Sequence, residues 1–334
     1  MAAGPAILVI GPNWVGDMVM AHTLVQALRA RFPEAPIDVL APPANAQIAA
    51  RMAEVRDVIE FDFSPHRPNL NARRTLAGTL KGRFISAYVL PGSWISALVP
   101  ALAGIPVRVG YLRELRFGLL TRIVRMPAGR RRRTAEAYAR LAGAAEPTPP
   151  ILRVDVANRD RLLALHQLAA TGFVALLPGA EGGAAKRWPA VHFAALARRL
   201  QRDGNRVLLL GGLRDQATTA EIAAAAPGAI DLGGRTTLGD AVDIIAAAQL
   251  VVSNDSGLMH VAAAVGTPLV GIYGSTSPVD TPPLTDRRAL LWRDLACSPC
   301  HRRRCPLGHT DCLRGLTVAE VAEATLGLIG RRVA

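Results

Sequence analysis

The chain has 334 residues, of which 50% are hydrophobic and 19% charged, and its formal net charge is +13. This composition provides enough apolar material for packed cores and excludes an intrinsically disordered chain. No apolar run reaches the roughly 18 residues that a membrane-spanning helix needs, and the N-terminus lacks the basic region of a signal peptide. We therefore expect a soluble, cytoplasmic protein.

The first half alternates short apolar runs with helical patterns. Strands are predicted over 6–10, 37–41, 58–61, 86–90 and 107–111, and helices over 17–31, 45–53, 70–81 and 94–103. Such alternation is typical of a doubly wound parallel sheet, whose ligands bind outside the carboxyl ends of the strands.

A proline-rich interval around 143–154 then interrupts the alternation, which restarts after it. Further strands are predicted over 173–177, 207–210, 250–253 and 269–273, and helices over 192–202, 218–225, 238–248, 257–264 and 318–329. We predict an α/β protein with two Rossmann-like domains, 1–150 and 151–316, and a closing C-terminal helix within 317–334. The two parallel sheets would face a cleft that holds the site.

The first strand-to-helix turn reads Gly-Pro-Asn-Trp-Val-Gly-Asp over Gly11–Asp17. It lacks the Lys and Ser or Thr of a Walker A loop and the spacing of a dinucleotide-binding glycine motif, which excludes both of those phosphate sites. The Asp17 carboxylate then has two interpretations. It is either a cap or first-turn acid of the helix, or a general base at the mouth of a cleft.

Two loops of the second half have the composition of an anion site. Pro178–Pro189 is rich in small residues and carries Lys186, so its N–H groups and one ammonium suit a pyrophosphate. Ser253–His260 opens a helix whose first N–H groups can receive phosphate oxygens, while Asp255 can accept hydrogen bonds from sugar hydroxyls. The alternatives are a flexible surface loop with solvated cations and an ordinary helix cap by Asp255 or Ser256.

All four cysteines fall within 16 residues, with the spacing C-x2-C-x4-C-x6-C. A structural zinc ion held by Cys297, Cys300, Cys305 and Cys312 is compatible with this spacing. The favoured interpretation is four reduced cysteines that pack a loop. We expect no cofactor and no catalytic metal.

The positive charge favours an anionic partner, which could be a phosphorylated substrate, an acidic lipid surface or a nucleic acid. The runs Arg130–Arg133 and Arg302–Arg304 are either solvated surface or contacts to lipid phosphates. Aromatic residues make up only 4% of the chain, and no RNA-binding aromatic signature is present, which argues against nucleic acid.

Four segments in order carry a specific resemblance: GPNWVGDMVM, PGAEGGAAKRWP, SNDSGLMH and GIYGSTSPVDTPPL. Together they resemble the ADP-heptose:lipopolysaccharide heptosyltransferases, which are inverting GT-B enzymes of glycosyltransferase family 9. The similarity extends over essentially the whole chain. The segments LPGSWISALVPALAGIPVRVGY and RELRFGLL and the cysteine-bearing segment are similar to the members that add the second heptose rather than the first.

The resemblance implies roles for individual residues. Asp17 would deprotonate the acceptor hydroxyl, and Lys186 would neutralise the departing ADP, so that no metal is required. The positions implied for donor binding are Asp255, Ser256, Gly257, Gly179, Glu181 and Asp215. Those implied for acceptor binding are Trp14, Ser93, Arg108, Arg113 and Arg116.

One departure from the family concerns Ile95, which stands where relatives carry a lysine in the acceptor half. The anionic contacts of the acceptor would then need another cation. Arg108, Arg113 and Arg116 are the candidates for this compensation.

The function that the resemblance implies is transfer of L-glycero-D-manno-heptose from ADP-heptose to the first heptose of the lipopolysaccharide inner core, with inversion. The first domain would bind the acceptor and the second ADP-heptose. The implied partners are ADP-heptose, heptosyl-Kdo2-lipid A and the inner membrane surface, where the protein would be peripherally attached. The alternatives are the first-heptose step on another acceptor, and a non-catalytic protein of this fold that binds anionic lipid.

Overall fold

The computed structural model describes residues 6–62, 69–114, 116–125, 133–168 and 172–330. The chain folds as two compact units, Met1–Pro150 and Ile151–Ala334. Each unit contains a six-stranded parallel sheet flanked by helices. This architecture confirms the predicted α/β fold with two Rossmann-like domains.

The sheet of the first unit has the order β3-β2-β1-β4-β5-β6. Its strands are β1 (Ala6–Ile10), β2 (Ile37–Ala41), β3 (Val55–Glu60), β4 (Phe84–Val89), β5 (Val107–Tyr111) and β6 (Arg122–Val124). The helices are α1 (Val15–Arg31), α2 (Pro43–Ala49), α3 (Leu70–Leu80), α4 (Leu98–Leu102) and α5 (Thr134–Leu141), with a 3-10 helix at Trp94–Ala97. The strand order reverses between β1 and β4, which is where ligands bind in doubly wound sheets.

The second unit repeats this topology, with the sheet order β12-β11-β10-β7-β8-β9. Its strands are β7 (Phe173–Leu177), β8 (Arg206–Leu209), β9 (Ile230–Asp231), β10 (Leu250–Asn254), β11 (Leu269–Tyr273) and β12 (Arg288–Trp292). The helices are α6 (Val156–Leu165), α7 (Ala190–Arg202), α8 (Gln216–Ala225), α9 (Leu238–Ala247), α10 (Gly257–Ala264), α11 (Asp311–Arg314) and α12 (Val318–Gly330). Two 3-10 helices lie at Ala184–Lys186 and Leu213–Asp215. The strand order reverses between β7 and β10.

The central strands of each sheet lie in the core of their unit. Every residue of β1, β7, β10 and β11 is buried, as expected of parallel strands covered on both faces. In the second unit the Trp188 ring packs edge-on against Phe193, with 5.0 Å between ring centroids. The Trp188 indole N–H donates to the main-chain oxygen of Leu316 at 2.9 Å, so the largest core side chain has its one donor satisfied.

Several elements differ from the sequence-based expectation. The predicted helix over 94–103 divides into the 3-10 helix and α4, and the helix predicted over 45–53 begins at Pro43 and ends at Ala49. A proline is tolerated at the start of a helix because its missing N–H would be unpaired there in any case. The elements β6, α5, α6, β9, β12 and α11 were not predicted.

No helix within the described ranges combines the length and apolar character that a membrane span requires.

In the arginine run over 130–133, residues 130–132 lie outside the described residues.

Candidate functional site

In the first unit, the turn after β1 leads directly into α1. Trp14 precedes the helix in an extended conformation and its side chain is nearly half exposed. Asp17 is the acidic residue of the first helical turn, a position that the helix dipole favours for a carboxylate. This placement at the carboxyl edge of β1 is compatible with both interpretations of Asp17.

The charges of Asp17 and Arg113 both act on one buried tyrosine, Tyr138. Tyr138 belongs to α5, which packs against α1, and the Thr23 hydroxyl of α1 donates to the main-chain oxygen of Ala135 at 3.0 Å. Burial raises the pKa of Tyr138, the charge of Asp17 raises it further and the charge of Arg113 lowers it. The Tyr138 hydroxyl therefore lies within electrostatic range of both the Asp17 carboxylate and the Arg113 guanidinium. Sequence reasoning missed Tyr138 because α5 was not predicted.

The three candidate arginines occupy different surroundings. Arg108 donates to the main-chain oxygens of Leu119 and Ile105, both at 2.6 Å. Arg116, only 1% exposed, donates to the carbonyl of Pro91 at 2.7 Å and also to that of Tyr111. These two guanidinium groups hold loops of their own unit together.

Arg113 differs, because it lies exposed after β5 with its side chain against Gly92. In the neighbouring loop, Ser93 precedes the 3-10 helix and its carbonyl accepts a bond from the Ser96 hydroxyl at 2.6 Å. The main-chain N–H of Trp94 donates to the carboxylate of Glu114 at 3.1 Å. The loops after β4 and β5 are thus joined, since these strands are neighbours in the sheet.

In the second unit, an ion pair lies where the strand order reverses. Lys186 Nζ donates to Asp255 Oδ2 at 2.7 Å, and the Thr276 hydroxyl donates to the same oxygen at 2.6 Å. The lysine follows β7, the aspartate β10 and the threonine β11, three adjacent strands whose carboxyl ends meet at one edge. The Asp255 side chain is 5% exposed and that of Lys186 24%, so the carboxylate is buried and the ammonium remains accessible.

Two titratable groups surround this pair and stay neutral at pH 7. Burial lowers the pKa of His260 to about 4, an effect that Asp255 opposes and Lys186 reinforces. Burial also raises the pKa of Tyr273, and the charge of Asp255 raises it further. Arg288 opposes this effect on Tyr273, so its charge acts near the Lys186–Asp255 pair.

Asn254 fixes the loop that carries Lys186 from both sides. Its side-chain nitrogen donates to the main-chain oxygen of Pro178 at 2.7 Å, and its oxygen accepts from the main-chain N–H of Trp188 at 3.0 Å. Asn254 is completely buried at the end of β10. Its position directly before Asp255 was the only sequence signal for this role.

The start of α10 lies beside the ion pair. Ser256 precedes the helix, makes no capping hydrogen bond, and lies with its hydroxyl 3.2 Å from that of Ser253. Gly257 is the first helical residue. The Ser256 side chain thus does not cap this eight-residue helix, and N–H groups at the start of a helix are a common site for anions.

The remaining predicted donor residues lie after β7 and β8. Asp215 accepts from the N–H of Gly212 at 3.1 Å and contacts Arg187 at 3.4 Å, and its carboxylate lies against Gly179. Glu181 forms an exposed ion pair with Arg214 at 3.1 Å. The structure brings Gly179 and Asp215 together, whereas Glu181 reaches outward to Arg214.

The four cysteines are free thiols. Burial raises the pKa of Cys312, and the other three cysteines raise it further. Main-chain N–H groups of Thr310, Leu307, Gly308 and His309 lower the pKa of Cys305. Among the residues that the structure describes, no group of three or more His, Cys, Asp or Glu side chains is arranged to hold a metal ion.

Comparison with known proteins identifies the family. Residues 73–311 match the model of glycosyltransferase family 9 (heptosyltransferase). The chain is 40% identical over 303 residues to lipopolysaccharide heptosyltransferase 2 of Escherichia coli K12, covering 85% of this chain and 87% of that one. It is 39% identical over 303 residues to lipooligosaccharide heptosyltransferase 2 of Haemophilus influenzae Rd, covering 85% and 88%.

A solved structure of E. coli ADP-heptose lps heptosyltransferase II has a TM-score of 0.88 and 36% identity, covering 98% of this chain and 100% of that one. The chain thus agrees with these heptosyltransferases in sequence and in fold over most of its length. The chain belongs to glycosyltransferase family 9, the heptosyltransferases.

Proposed function

We propose that the chain transfers a heptose from ADP-heptose to the first heptose of the lipopolysaccharide inner core, with inversion at the anomeric carbon. The observation that carries the proposal is the Lys186–Asp255 ion pair of 2.7 Å beside the start of α10. It combines a cation for the departing diphosphate with a carboxylate for sugar hydroxyls. The names of the relatives support heptose transfer to lipopolysaccharide or lipooligosaccharide, and the name of the solved structure supports ADP-heptose as the donor.

In the proposed reaction, the second unit binds the donor. The Lys186 ammonium and the first N–H groups of α10 hold the diphosphate, because both present positive charge to an anion. Asp255 accepts hydrogen bonds from heptose hydroxyls. Asp215 and the backbone at Gly179 contact the nucleoside part of ADP-heptose.

The first unit binds the acceptor. The Asp17 carboxylate takes the proton of the acceptor hydroxyl as its oxygen attacks the anomeric carbon. The bond between that carbon and the diphosphate oxygen breaks, and ADP leaves with the electron pair. Arg113 supplies the positive charge that relatives place at the position of Ile95. Arg108 and Arg116 do not, because main-chain oxygens already accept hydrogen bonds from them.

We propose that this transfer needs no divalent cation, because Lys186 and the start of α10 already face the leaving diphosphate with positive charge. Turnover should therefore persist in excess EDTA. Loss of turnover that Mg²⁺ restores would contradict this part of the proposal.

Attachment to the inner membrane is proposed for the segment that joins β5 to β6. Phe117 is 63% exposed and Leu112 40% exposed in this segment, Arg113 is exposed next to Leu112 in the chain, and Arg125 is exposed directly after β6. Exposed Phe and Leu side chains can insert at the boundary between lipid headgroups and acyl chains, and each arginine near an anionic leaflet adds about 1 kcal/mol. Vesicles containing phosphatidylglycerol should bind the protein, and Phe117→Asp should weaken that binding. Equal sedimentation of the wild type with purely zwitterionic vesicles would contradict an electrostatic attachment.

The deciding experiment follows ADP release from ADP-heptose with two acceptors, Kdo2-lipid A and heptosyl-Kdo2-lipid A. Turnover only with the heptosylated acceptor is the expected result. Turnover only with the bare acceptor would keep the chemistry and assign the first-heptose step. No release with either acceptor, together with retained binding of anionic lipid, would replace the proposal with a non-catalytic lipid-binding function.

A further inference from the structure

Two donors share one oxygen of the buried Asp255 carboxylate. Lys186 approaches Oδ2 at 2.7 Å and the Thr276 hydroxyl approaches it at 2.6 Å. The two donors differ in mobility, because the lysine ammonium ends a flexible four-carbon chain whereas the threonine side chain has one stiff torsion. Lys186 is also the more exposed partner of the ion pair.

A bound diphosphate would compete with Asp255 for Lys186. The diphosphate carries at least two negative charges, against one on the carboxylate, and the accessible lysine can turn toward it. Asp255 would then lose one of its two hydrogen bonds while remaining buried. An under-bonded buried carboxylate is costly and free to rotate, which is unfavourable in a group that must orient sugar hydroxyls.

Thr276 is held so that it can keep this bond. The N–H of Ser275 donates to the main-chain oxygen of Ala185 at 3.1 Å, and the carbonyl of Ser275 accepts from the N–H of His301 at 2.7 Å. On the other side, the N–H of Asp255 donates to the main-chain oxygen of Ile272 at 2.9 Å. Both ends of the Thr276–Asp255 hydrogen bond are therefore fixed by the backbone, independently of where Lys186 points.

We propose that Thr276 is a positioning residue. Its hydroxyl keeps the Asp255 carboxylate oriented toward the donor sugar when the Lys186 ammonium turns from Asp255 to the diphosphate of ADP-heptose. This inference rests on the proposed function, because it assumes that Asp255 binds the heptose. The proposal implies that Thr276, for which no role was predicted from the sequence, helps the protein to bind ADP-heptose more tightly than ADP.

The test compares Thr276→Val, which keeps the shape and removes the hydroxyl, with Thr276→Ser, which keeps the hydroxyl. The affinity of Thr276→Val for ADP-heptose should fall roughly tenfold, the loss expected for one hydrogen bond to a charged group. Its affinity for ADP alone should change less than about twofold, because ADP has no heptose for Asp255 to hold. Thr276→Ser should restore the affinity for ADP-heptose.

Thr281→Val is the matched control. It makes the same chemical change five residues along the chain, where the Tyr273 hydroxyl is held by the main-chain oxygen of Thr281 at 3.0 Å rather than by its side chain. We expect this variant to bind both ligands like the wild type. The melting temperatures of all three variants establish that they fold.

Three results would overturn the proposal. Equal binding of ADP-heptose by Thr276→Val and wild type would remove the positioning role and leave the proposed function intact. Equal loss of affinity for ADP and ADP-heptose would assign Thr276 a structural role in the loop. A wild type that binds ADP but not ADP-heptose would overturn the donor assignment itself, and the role of Thr276 with it.

Discussion

The carboxylate of Asp215 occupies the space that a side chain at Gly179 would need. A Cβ atom at Gly179 would lie 2.3 Å from Asp215 Oδ2, well inside van der Waals contact. The absence of a side chain at Gly179 thus allows the loops after β7 and β8 to approach each other. The donor-binding role proposed for Asp215 depends on this approach.

Gly179→Ala should therefore displace the Asp215 carboxylate and lower the affinity for ADP roughly tenfold. Calorimetric titration with ADP measures the effect. Gly212→Ala is the matched control, because its Cβ would lie 4.0 Å from the same carboxylate, an ordinary contact. If the two variants bind ADP equally well, Asp215 does not contribute to donor binding.

Asp17→Ala should reduce kcat by about 10²–10⁴-fold while leaving the Kd for ADP nearly unchanged. The reason is that a general base acts only on the acceptor hydroxyl, whereas the residues proposed to bind ADP belong to the second unit. Steady-state rates and ADP titration of the same preparation separate the two quantities. A normal rate for this variant would exclude Asp17 as the base and leave it as a first-turn acid of α1.

Lys186→Ala should weaken donor binding and slow the transfer about 10²–10³-fold, since the departing diphosphate loses its cation and Asp255 is left buried without one. The Kd for ADP-heptose and kcat measure the two effects. Lys81→Ala removes the chain's other lysine, which is exposed after α3, and provides the control. Unchanged donor affinity and rate for Lys186→Ala would remove this lysine from the site.

Protonation of His260 should destabilise the protein in acid. Its pKa is lowered to about 4 in the folded chain, from about 6.5 in the unfolded chain, so the unfolded state binds more protons between these values. The free energy of unfolding is therefore unaffected by His260 above pH 6.5 and decreases as the pH falls toward 4, by of the order of 2–3 kcal/mol. His260→Gln should therefore lose less stability than the wild type between pH 7.5 and pH 4.5.

Urea unfolding at these two pH values measures the difference. Other buried histidines, such as His22, whose pKa is also lowered by burial, contribute equally to both proteins and cancel in the comparison. Identical pH dependence of the wild type and His260→Gln would mean that His260 is protonated as easily in the folded protein as in the unfolded chain.

The central strands were predictable because their signal is local. The runs AILVI and FVALL are apolar throughout, and each forms a fully buried strand with the predicted bounds. The strand β12 was missed although residues 289–292 are all apolar, because this run is short and charged residues flank it on both sides. The helices α5 and α6 adjoin the arginine run and the proline-rich interval, whose composition indicated loops.

The site was predictable only in part. Lys186 and Asp255 lie in motifs that point to an anion and a sugar, although 69 residues separate them. Tyr138 was missed because its partners come from other elements, and no local pattern reports which elements become neighbours. Thr276 lies in GIYGSTSPVDTPPL, one of the segments that carry the resemblance, but no role was predicted for this residue. The charges of Arg108 and Arg116 were visible in the sequence, whereas the carbonyls that engage them depend on the folded loops.

The cysteine-bearing segment makes the loop that carries Lys186 accessible to spectroscopy. The N–H of Ala185 donates to the main-chain oxygen of Arg303, and Gly183, with a φ of +101°, leaves room for that same oxygen. The thiol of Cys305 lies two residues further on, and its lowered pKa makes it the one that a dye labels before the buried Cys312. A fluorophore on Cys305 would thus report, through Arg303, on movements of the loop that carries Lys186.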